Sequence, residues 1–484
     1  MINYTRKLYT LKYITYEYNL FLGDVMFVGR DKELERLNKA YNGNQFEMVV
    51  IYGRRRVGKT TLITEFIKDK KAIYFSGLET SAKNNLANLS QRIMEYVTGL
   101  ENVKISYDRF EDCFDNIYNL AANERLIFVI DEYPYLAASY KGISSLLQQY
   151  IDLKFKKTKL FLILCGSSMS FMENQVLGYK SPLYGRRTMQ LKINPFDFFE
   201  SMQFHTGFSE EESAIIYGIT GGIPQYLEQI DDKKTLRENI IDNFFNTSSY
   251  LFEEPSNLLK QELREPALYN AIIEAVAEGS SKMNEIATKT GLDATLCNKY
   301  IKSLIELGII KREKPAMEKN AKRSIYRLND GMFRFWYRFI PQNIDRINNG
   351  RGEGVYENIK SHISDFMGEV FEDICKQYLW KLNREGKLEF AFAEKWWGTN
   401  PQKRQQSEID IIAYDEKKAI FCECKWRNEL VNESIITELI EKSAMFSFPV
   451  KEYMIFSKSG FEEECINKYS NSHIVKLISF DDMI

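Results

Sequence analysis

In the first half of the chain, unbroken apolar runs alternate with stretches whose apolar residues recur at helical spacing. MVVIYG (Met48–Gly53), AIYFSG (Ala72–Gly77), LIFVIDE (Leu126–Glu132) and LFLILCGSS (Leu160–Ser168) each read as a short buried strand. FVGRDKELERLNKAY (Phe27–Tyr41) reads as a turn and an amphipathic helix, with Leu34 and Leu37 on one face. Thr60–Lys68 reads as a second helix. Strands without polar alternation, separated by helices, predict a parallel sheet covered on both faces. From about Pro195 to Gln261 the pattern is mostly helical. Pro266–Leu328 then reads as a helix, a helix–turn–helix and a β wing. A linker rich in Asn and Gly (Asn348–Gly354) leads to a final α/β unit. The expectation is a multidomain α/β chain divided at residues 1–25, 26–194, 195–260, 261–340 and 341–484.

Composition narrows this picture. At about 150 residues per domain, 484 residues allow roughly three domains. The chain is 44% hydrophobic and 27% charged, which excludes wholesale disorder and a fibrous repeat. No segment reaches the ~18 apolar residues of a membrane span. Seven scattered Cys fit a reduced, cytoplasmic protein, and three distant His argue against a His-rich metal centre. Residues 1–25 hold five Tyr and do not read as a signal peptide. Either translation begins at Met26 or this segment is an N-terminal arm.

Gly53-Arg-Arg-Arg-Val-Gly58-Lys59-Thr60 fits the phosphate-loop pattern, with a strand before it and a helix after it. Its glycines let backbone N–H groups close around phosphates, and the helix start adds positive potential. Lys59 is expected to reach the β- and γ-phosphates of ATP. Thr60, followed by Thr61, is expected to ligate Mg²⁺. Asp131 and Glu132 end an apolar strand, where ligands bind in open α/β sheets. Asp131 suits the outer sphere of Mg²⁺, and Glu132 suits polarisation of the attacking water. Ser167 ends the next strand and is a candidate γ-phosphate sensor or a plain turn serine.

FVGRDKEL, GRRRVGKT, FVIDEYPYL, CGSSMSFM, SPLYGRR and TGGIP, in that order, resemble the archaeal-type AAA+ ATPase family, a branch close to the STAND ATPases. The resemblance covers roughly Met26–Lys260. It implies an ATPase core at 26–194 and a helical lid at 195–260. It also implies that Val28, Gly29 and Arg30 lie near the adenine, and that Arg186 or Arg187 is an arginine finger acting in trans within a homo-oligomer. No clear sensor-2 Arg is present.

Lys282–Arg327 holds eleven Lys/Arg and five acids, against a net charge of −2 for the whole chain. Ala294–Leu307 is the expected recognition helix, with Thr295, Asn298, Lys299 and Lys302 outward and Leu296, Tyr300, Ile301, Leu304 and Ile305 inward. Arg312, Lys319, Lys322 and Arg323 are expected in or beside the wing. DNA is the expected partner, although such units also dock proteins. FRFWYRF (Phe333–Phe339) reads as a packed helix.

SEIDIIAY and AIFCECKW flank a polar turn, Asp415–Lys418. A symmetric hairpin sets Asp410 opposite Glu423 and Glu408 opposite Lys425, all on one face. The other face would carry Ile409, Ile411, Ala413, Ile420, Cys422 and Cys424. Two carboxylates ~5 Å apart repel by about 3 kcal/mol at an effective dielectric of 20, which a divalent cation would remove. Lys425 would orient water or stabilise charge building on a phosphate. The helix Ser364–Trp380 offers Glu369 as a further acid. The pattern is similar to the PD-(D/E)XK nucleases over about Ser361–Lys458. That resemblance implies a restriction-endonuclease-like domain with Glu369, Asp410, Glu423 and Lys425 in its active centre and Mg²⁺ or Mn²⁺ bound by Asp410 and Glu423.

The expected function is an ATPase joined by a winged helix to a metal-dependent DNA endonuclease, in DNA processing or defence. The alternative is a nucleotide-switched sensor or DNA-binding regulator with a non-catalytic last domain. RNA as the nuclease substrate is not separated from DNA by these charges.

Overall fold

A computed structural model describes residues 27–101, 105–318, 323–401 and 403–484. The N-terminal extension, Met26, Lys319 and Lys322 therefore lie outside the described residues. The chain divides into two compact units, the first ending at Pro195 and the second running from Phe196 to Ile484.

The first unit is built from α1 (Asp31–Asn42), β1 (Glu47–Tyr52), α2 (Lys59–Ile67), β2 (Ala72–Ser76), α3 (Ala82–Thr98), α4 (Phe110–Asn123), β3 (Leu126–Asp131), α5 (Tyr133–Ser139), α6 (Ile143–Leu153), β4 (Leu160–Gly166) and β5 (Met189–Lys192). Its sheet has the order β2-β3-β4-β1-β5, with every neighbouring pair parallel. The unbroken apolar runs are explained by double burial. Met48, Val50 and Tyr52 of β1 pack into one core, while Val49 and Ile51 pack into the core on the opposite face. Both the parallel sheet and its two covered faces were legible in the sequence. The short β5, with only Leu191 buried, was not.

The longer helices at the start of the second unit are α7 (Glu210–Thr220), α8 (Leu236–Phe244) and α9 (Tyr250–Glu262). A winged helix-turn-helix follows: α10 (Pro266–Ala277), α11 (Met283–Thr290), α12 (Ala294–Glu306), β6 (Ile310–Glu313) and β7 (Ile325–Leu328). After α13 (Gly331–Phe339), the C-terminal part comprises α14 (Ile363–Arg384), β8 (Phe392–Asn400), β9 (Gln405–Tyr414), β10 (Lys418–Lys425), α15 (Glu433–Ser443), β11 (Val450–Ser457), α16 (Glu463–Tyr469) and β12 (Val475–Ser479). Its sheet is mixed, in sequential order β8 to β12. β9 is antiparallel to both neighbours, and β10, β11 and β12 are mutually parallel.

One apolar core runs through this unit across the expected boundaries at 260 and 340, from Phe198 through Phe333 and Phe366 to Phe480. The FRFWYRF segment is packed as expected, with the Phe335 ring 5.5 Å from that of Phe366. Gly331 marks how close the elements come: a Cβ there would lie 2.3 Å from the Gly218 carbonyl oxygen of α7. Backbone cannot yield as a side chain does. Gly331→Ala is therefore expected to destabilise the chain by about 1–3 kcal/mol, measured by urea unfolding.

Candidate functional site

In the first unit, Gly58 adopts φ 81° and starts α2 with no side-chain cap. The first amides of α2 are left for an external acceptor. Lys59 is only 7% exposed, and its Nζ donates to the Arg54 carbonyl at 2.8 Å. Burial lowers its pKa, while Cys165, Glu132 and Asp131 act the other way. Thr60 Oγ1 donates to Asp131 Oδ2 at 3.0 Å, and the Tyr74 hydroxyl donates to the same oxygen. Glu132 has φ 45°, and its Oε2 accepts the Ser167 hydroxyl at 3.0 Å and the Ser167 N–H at 3.4 Å. An uncapped helix start, a buried ammonium and a hydroxyl–carboxylate pair fit a magnesium–nucleotide phosphate chain. Thr60 and Asp131 would hold the metal.

The remaining first-unit residues are placed as follows. Gly53 packs so tightly that an added Cβ would lie 2.3 Å from the Ile193 carbonyl oxygen. Thr61 is partly buried in the first turn of α2. Arg30 is 5% exposed and donates to the carbonyls of Val57 at 3.1 Å and Asn194 at 2.6 Å, so Val28, Gly29 and Arg30 run beside the loop. Arg186 is bound to Asp152 at 2.6 Å and donates to the carbonyls of Pro182 and Tyr184. Arg187 is exposed. Tyr74 and Tyr135, which accepts from Arg55 Nη2 at 2.6 Å, carried no motif that would single them out.

In the winged helix, Asp293 caps α12 by accepting the amides of Thr295 and Leu296 at 2.9 and 3.0 Å. Thr295, Asn298, Lys299 and Lys302 are exposed, and Tyr300, Ile301 and Leu304 are buried. Arg312 is exposed, and Arg323 pairs with Glu318 at 3.5 Å.

The hairpin register holds from Tyr414–Ala419 to Ile411–Cys422. Beyond it the Asp410 Oδ2 accepts the Cys424 N–H at 2.8 Å, in the plane of the sheet. The cause is a bulge: Glu394–Ile412 and Trp396–Ile409 are paired on β8 and β9, so three steps on β9 face two on β8. Ile409 therefore leaves the expected face and packs with Ile412 and Phe421, whereas Ile411, Cys422 and Cys424 pack against α14. Nor is the hairpin one-sided, because β9 and β10 are central strands with a core on each face. Asp410 and Glu423 are each 7% exposed. By alternation Glu423 belongs to the α15 side, where the charge of Lys442 reaches it.

Glu423 binds Lys425 at 2.5 Å through Oε1, and its Oε2 is buried without a hydrogen-bond partner. Burial and then Asp410 raise its pKa, against the opposing pull of Lys425. Glu369 does not join these acids. Arg327 and Arg334 each hold it at 3.2 Å, and they outweigh its partial desolvation in the cleft to lower its pKa. Among the described residues, no group of three or more His, Cys, Asp or Glu is arranged to hold a metal. The α14 acid near Asp410 is Glu372, one turn further on, which Lys395 of β8 binds at 2.8 Å; Lys395 is also 3.8 Å from Asp410. The sequence contained a hint, since Glu372 follows Glu369 by three positions on one helix, but the strand carrying Lys395 lacks clean alternation.

Burial and Asp410 push Glu372 up to about 8 despite Lys395. A carboxyl raised in the folded state binds a proton that the unfolded chain has released, so stability falls as pH rises from about 5 through 8. Glu372→Gln, which mimics the protonated form, is expected to remove a drop on the order of 3 kcal/mol between those pH values, measured by urea unfolding.

Comparison with known proteins agrees with the arrangement of these parts. Residues 27–230 match a family model described as an ATPase domain predominantly from Archaea. Residues 268–311 match a winged helix-turn-helix DNA-binding model, and 336–438 match one described as archaeal and bacterial proteins of unknown function. The uncharacterized protein MJECL04 of Methanocaldococcus jannaschii is 35% identical over 410 residues, which cover 83% of this chain and 88% of that protein. The chain belongs to the same family as MJECL04. Beside MJECL04 stands a short relative from the same organism, the uncharacterized ATP-binding protein MJ0423, 53% identical over 49 residues, which are 10% of this chain and 83% of that protein. Among solved structures, the Walker-type ATPase PABY2304 of Pyrococcus abyssi is similar at 20% identity and a TM-score of 0.48, over 64% of this chain and 96% of its own. The Aeropyrum pernix Orc1 protein in complex with DNA is similar at 14% identity and a TM-score of 0.34, over 68% and 97%. The chain thus carries an ATPase domain of P-loop type and a winged helix-turn-helix, followed by a mixed-sheet domain.

Proposed function

We propose that this chain is an AAA+-type protein that binds and hydrolyses ATP at the Gly53–Thr60 loop and engages DNA through α12. The observation that carries the first half is the Thr60–Asp131 hydrogen bond beside a buried Lys59 at an uncapped helix start. Bound Mg²⁺–ATP would supply the phosphoanhydride and a cation to neutralise its charge. Glu132, held by Ser167, is oriented to accept a proton from water, and Lys59 answers phosphate charge. Because Arg186 is closed onto Asp152, Arg187 is the better candidate for an arginine acting in a neighbouring copy. Seven unpaired, buried Cys support a reducing, cytoplasmic setting. No described helix is long and apolar enough to cross a membrane.

The DNA half rests on the exposed Lys299 and Lys302 of α12. Lys299→Ala/Lys302→Ala is expected to weaken duplex binding roughly tenfold at moderate salt and to reduce the salt slope by about 1.8. An unchanged slope in a fluorescence-anisotropy titration would remove α12 from the interface.

For the C-terminal domain, the reading is a nuclease-like site in which Asp410 and Glu423 hold Mg²⁺ or Mn²⁺ and Lys425 stabilises charge on a phosphodiester. The supporting observation is the buried Glu423 Oε2, which has no hydrogen-bond partner and lies within reach of the Asp410 charge. Carboxylate oxygens are hard donors suited to these cations. The second reading is a non-catalytic docking domain, so that the chain acts as a nucleotide-switched regulator. The arginine clamp on Glu369 favours it. Incubating the chain with plasmid and Mn²⁺ separates the two, since only the first produces strand breaks that Asp410→Asn abolishes.

A further inference from the structure

The wing of the second unit is occupied within the chain itself. Its described part runs along the C-terminal domain: Ala316, 3% exposed, donates its N–H to the Lys395 carbonyl on edge strand β8 at 2.9 Å. The Met317 N–H donates to the Tyr414 hydroxyl at 3.2 Å. Behind it, β6, β7 and α13 face α14 through ion pairs. Arg327 and Arg334 take one oxygen each of Glu369 at 3.2 Å, while Lys311 and Arg334 approach Asp373 at 3.6 and 3.8 Å. These groups line the same cavity as Asp410. Lys311 and Arg327, two of the eleven basic residues of the Lys282–Arg327 segment, are thus spent on acids of α14, and they stand over the Asp410 side of the sheet.

We propose that the wing is an electrostatic latch closed over the C-terminal domain, and that duplex DNA opens it by drawing Arg327 from Glu369 and Lys311 from Asp373, while Arg334 stays with the packed helix α13. Glu369 is 49% exposed, so its pairs are screened by salt and can exchange with solvent. A guanidinium forks onto phosphate oxygens as well as onto a carboxylate, which makes DNA phosphate a direct competitor. The release step rests on the DNA reading given above; the latch itself does not.

The test uses the full chain and Glu369→Gln/Asp373→Asn. Hydrogen exchange at the Ala316 and Met317 amides is expected to be about tenfold faster in the variant, and faster in the parent at high salt. Unchanged protection in both would overturn the latch. By anisotropy, the variant is expected to bind a short duplex about fivefold more tightly than the parent, with a steeper salt slope. Equal affinity would overturn the release step. Absence of duplex binding by either chain would overturn both the release step and the DNA reading, while the exchange data would still decide the latch. Arg327→Gln guards against misfolding of the double variant: it too is expected to loosen the wing, without gaining affinity for DNA. Tighter duplex binding by Arg327→Gln would count against competition for Arg327.

Discussion

Lys59→Ala is expected to abolish the rise in melting temperature that ATP and Mg²⁺ give the parent chain and to lower hydrolysis by at least about a hundredfold. The ammonium is nearly buried and donates to a backbone carbonyl, so in the nucleotide-free chain it is a desolvated charge whose pKa burial pulls down. A phosphate brings back the counter-charge that burial removed. Losing one charge-assisted contact of this kind costs about 3–5 kcal/mol, a factor of roughly 10² to 10⁴ in affinity. The same reasoning predicts that the variant without nucleotide is as stable as the parent or more so, because a buried charge has been removed. That pairing distinguishes a lost phosphate ligand from a damaged fold. If calorimetry found nucleotide binding unchanged in Lys59→Ala, the loop would have been misread.

The first unit was easy to read because its chemistry is local. Gly58, Lys59 and Thr60 are consecutive, and Asp131 lies at the end of an apolar strand whose position follows from periodicity alone. Double burial of β1, β3 and β4 erases polar alternation, and that erasure is the sign of a parallel sheet. The C-terminal domain was less legible, since the placement of its acids depends on register. The polar turn Asp415–Lys418 fixes the pairing for four residue pairs, and the bulge in β9 then moves Ile409 and Asp410 out of the alternation. A bulge there has no sequence marker, because no glycine or proline accompanies it. Glu369 was misplaced for a related reason. Helical spacing puts Glu369 and Glu372 near one face of α14, and only the wing, folded back from residues far earlier in sequence, decides which one is clamped by arginine. The boundaries expected at 260 and 340 followed changes in pattern, whereas one apolar core spans both.

Glu423→Ala is expected to eliminate Mn²⁺-dependent plasmid nicking and to weaken Mn²⁺ binding at the C-terminal domain by at least about a hundredfold, the loss that follows removal of one of two anionic ligands. Binding is best measured in a Lys59→Ala background, so that the loop of the first unit contributes nothing. Burial and then Asp410 raise the pKa of Glu423, against the pull of Lys425. A divalent cation favours the ionised form, so metal binding and protonation compete at this carboxyl. The affinity for Mn²⁺, measured by calorimetry, should therefore increase as pH rises. Glu423→Gln should also make the metal-free chain more stable at alkaline pH, because it removes the repulsion from Asp410 that raises the Glu423 pKa. A structural ion pair with Lys425 predicts the opposite sign, since the glutamine would leave a partly buried ammonium without its counter-charge. The direction of that stability change, read without any nucleic acid, decides whether these carboxylates are held apart from neutrality for a cation or merely serve the lysine beside them.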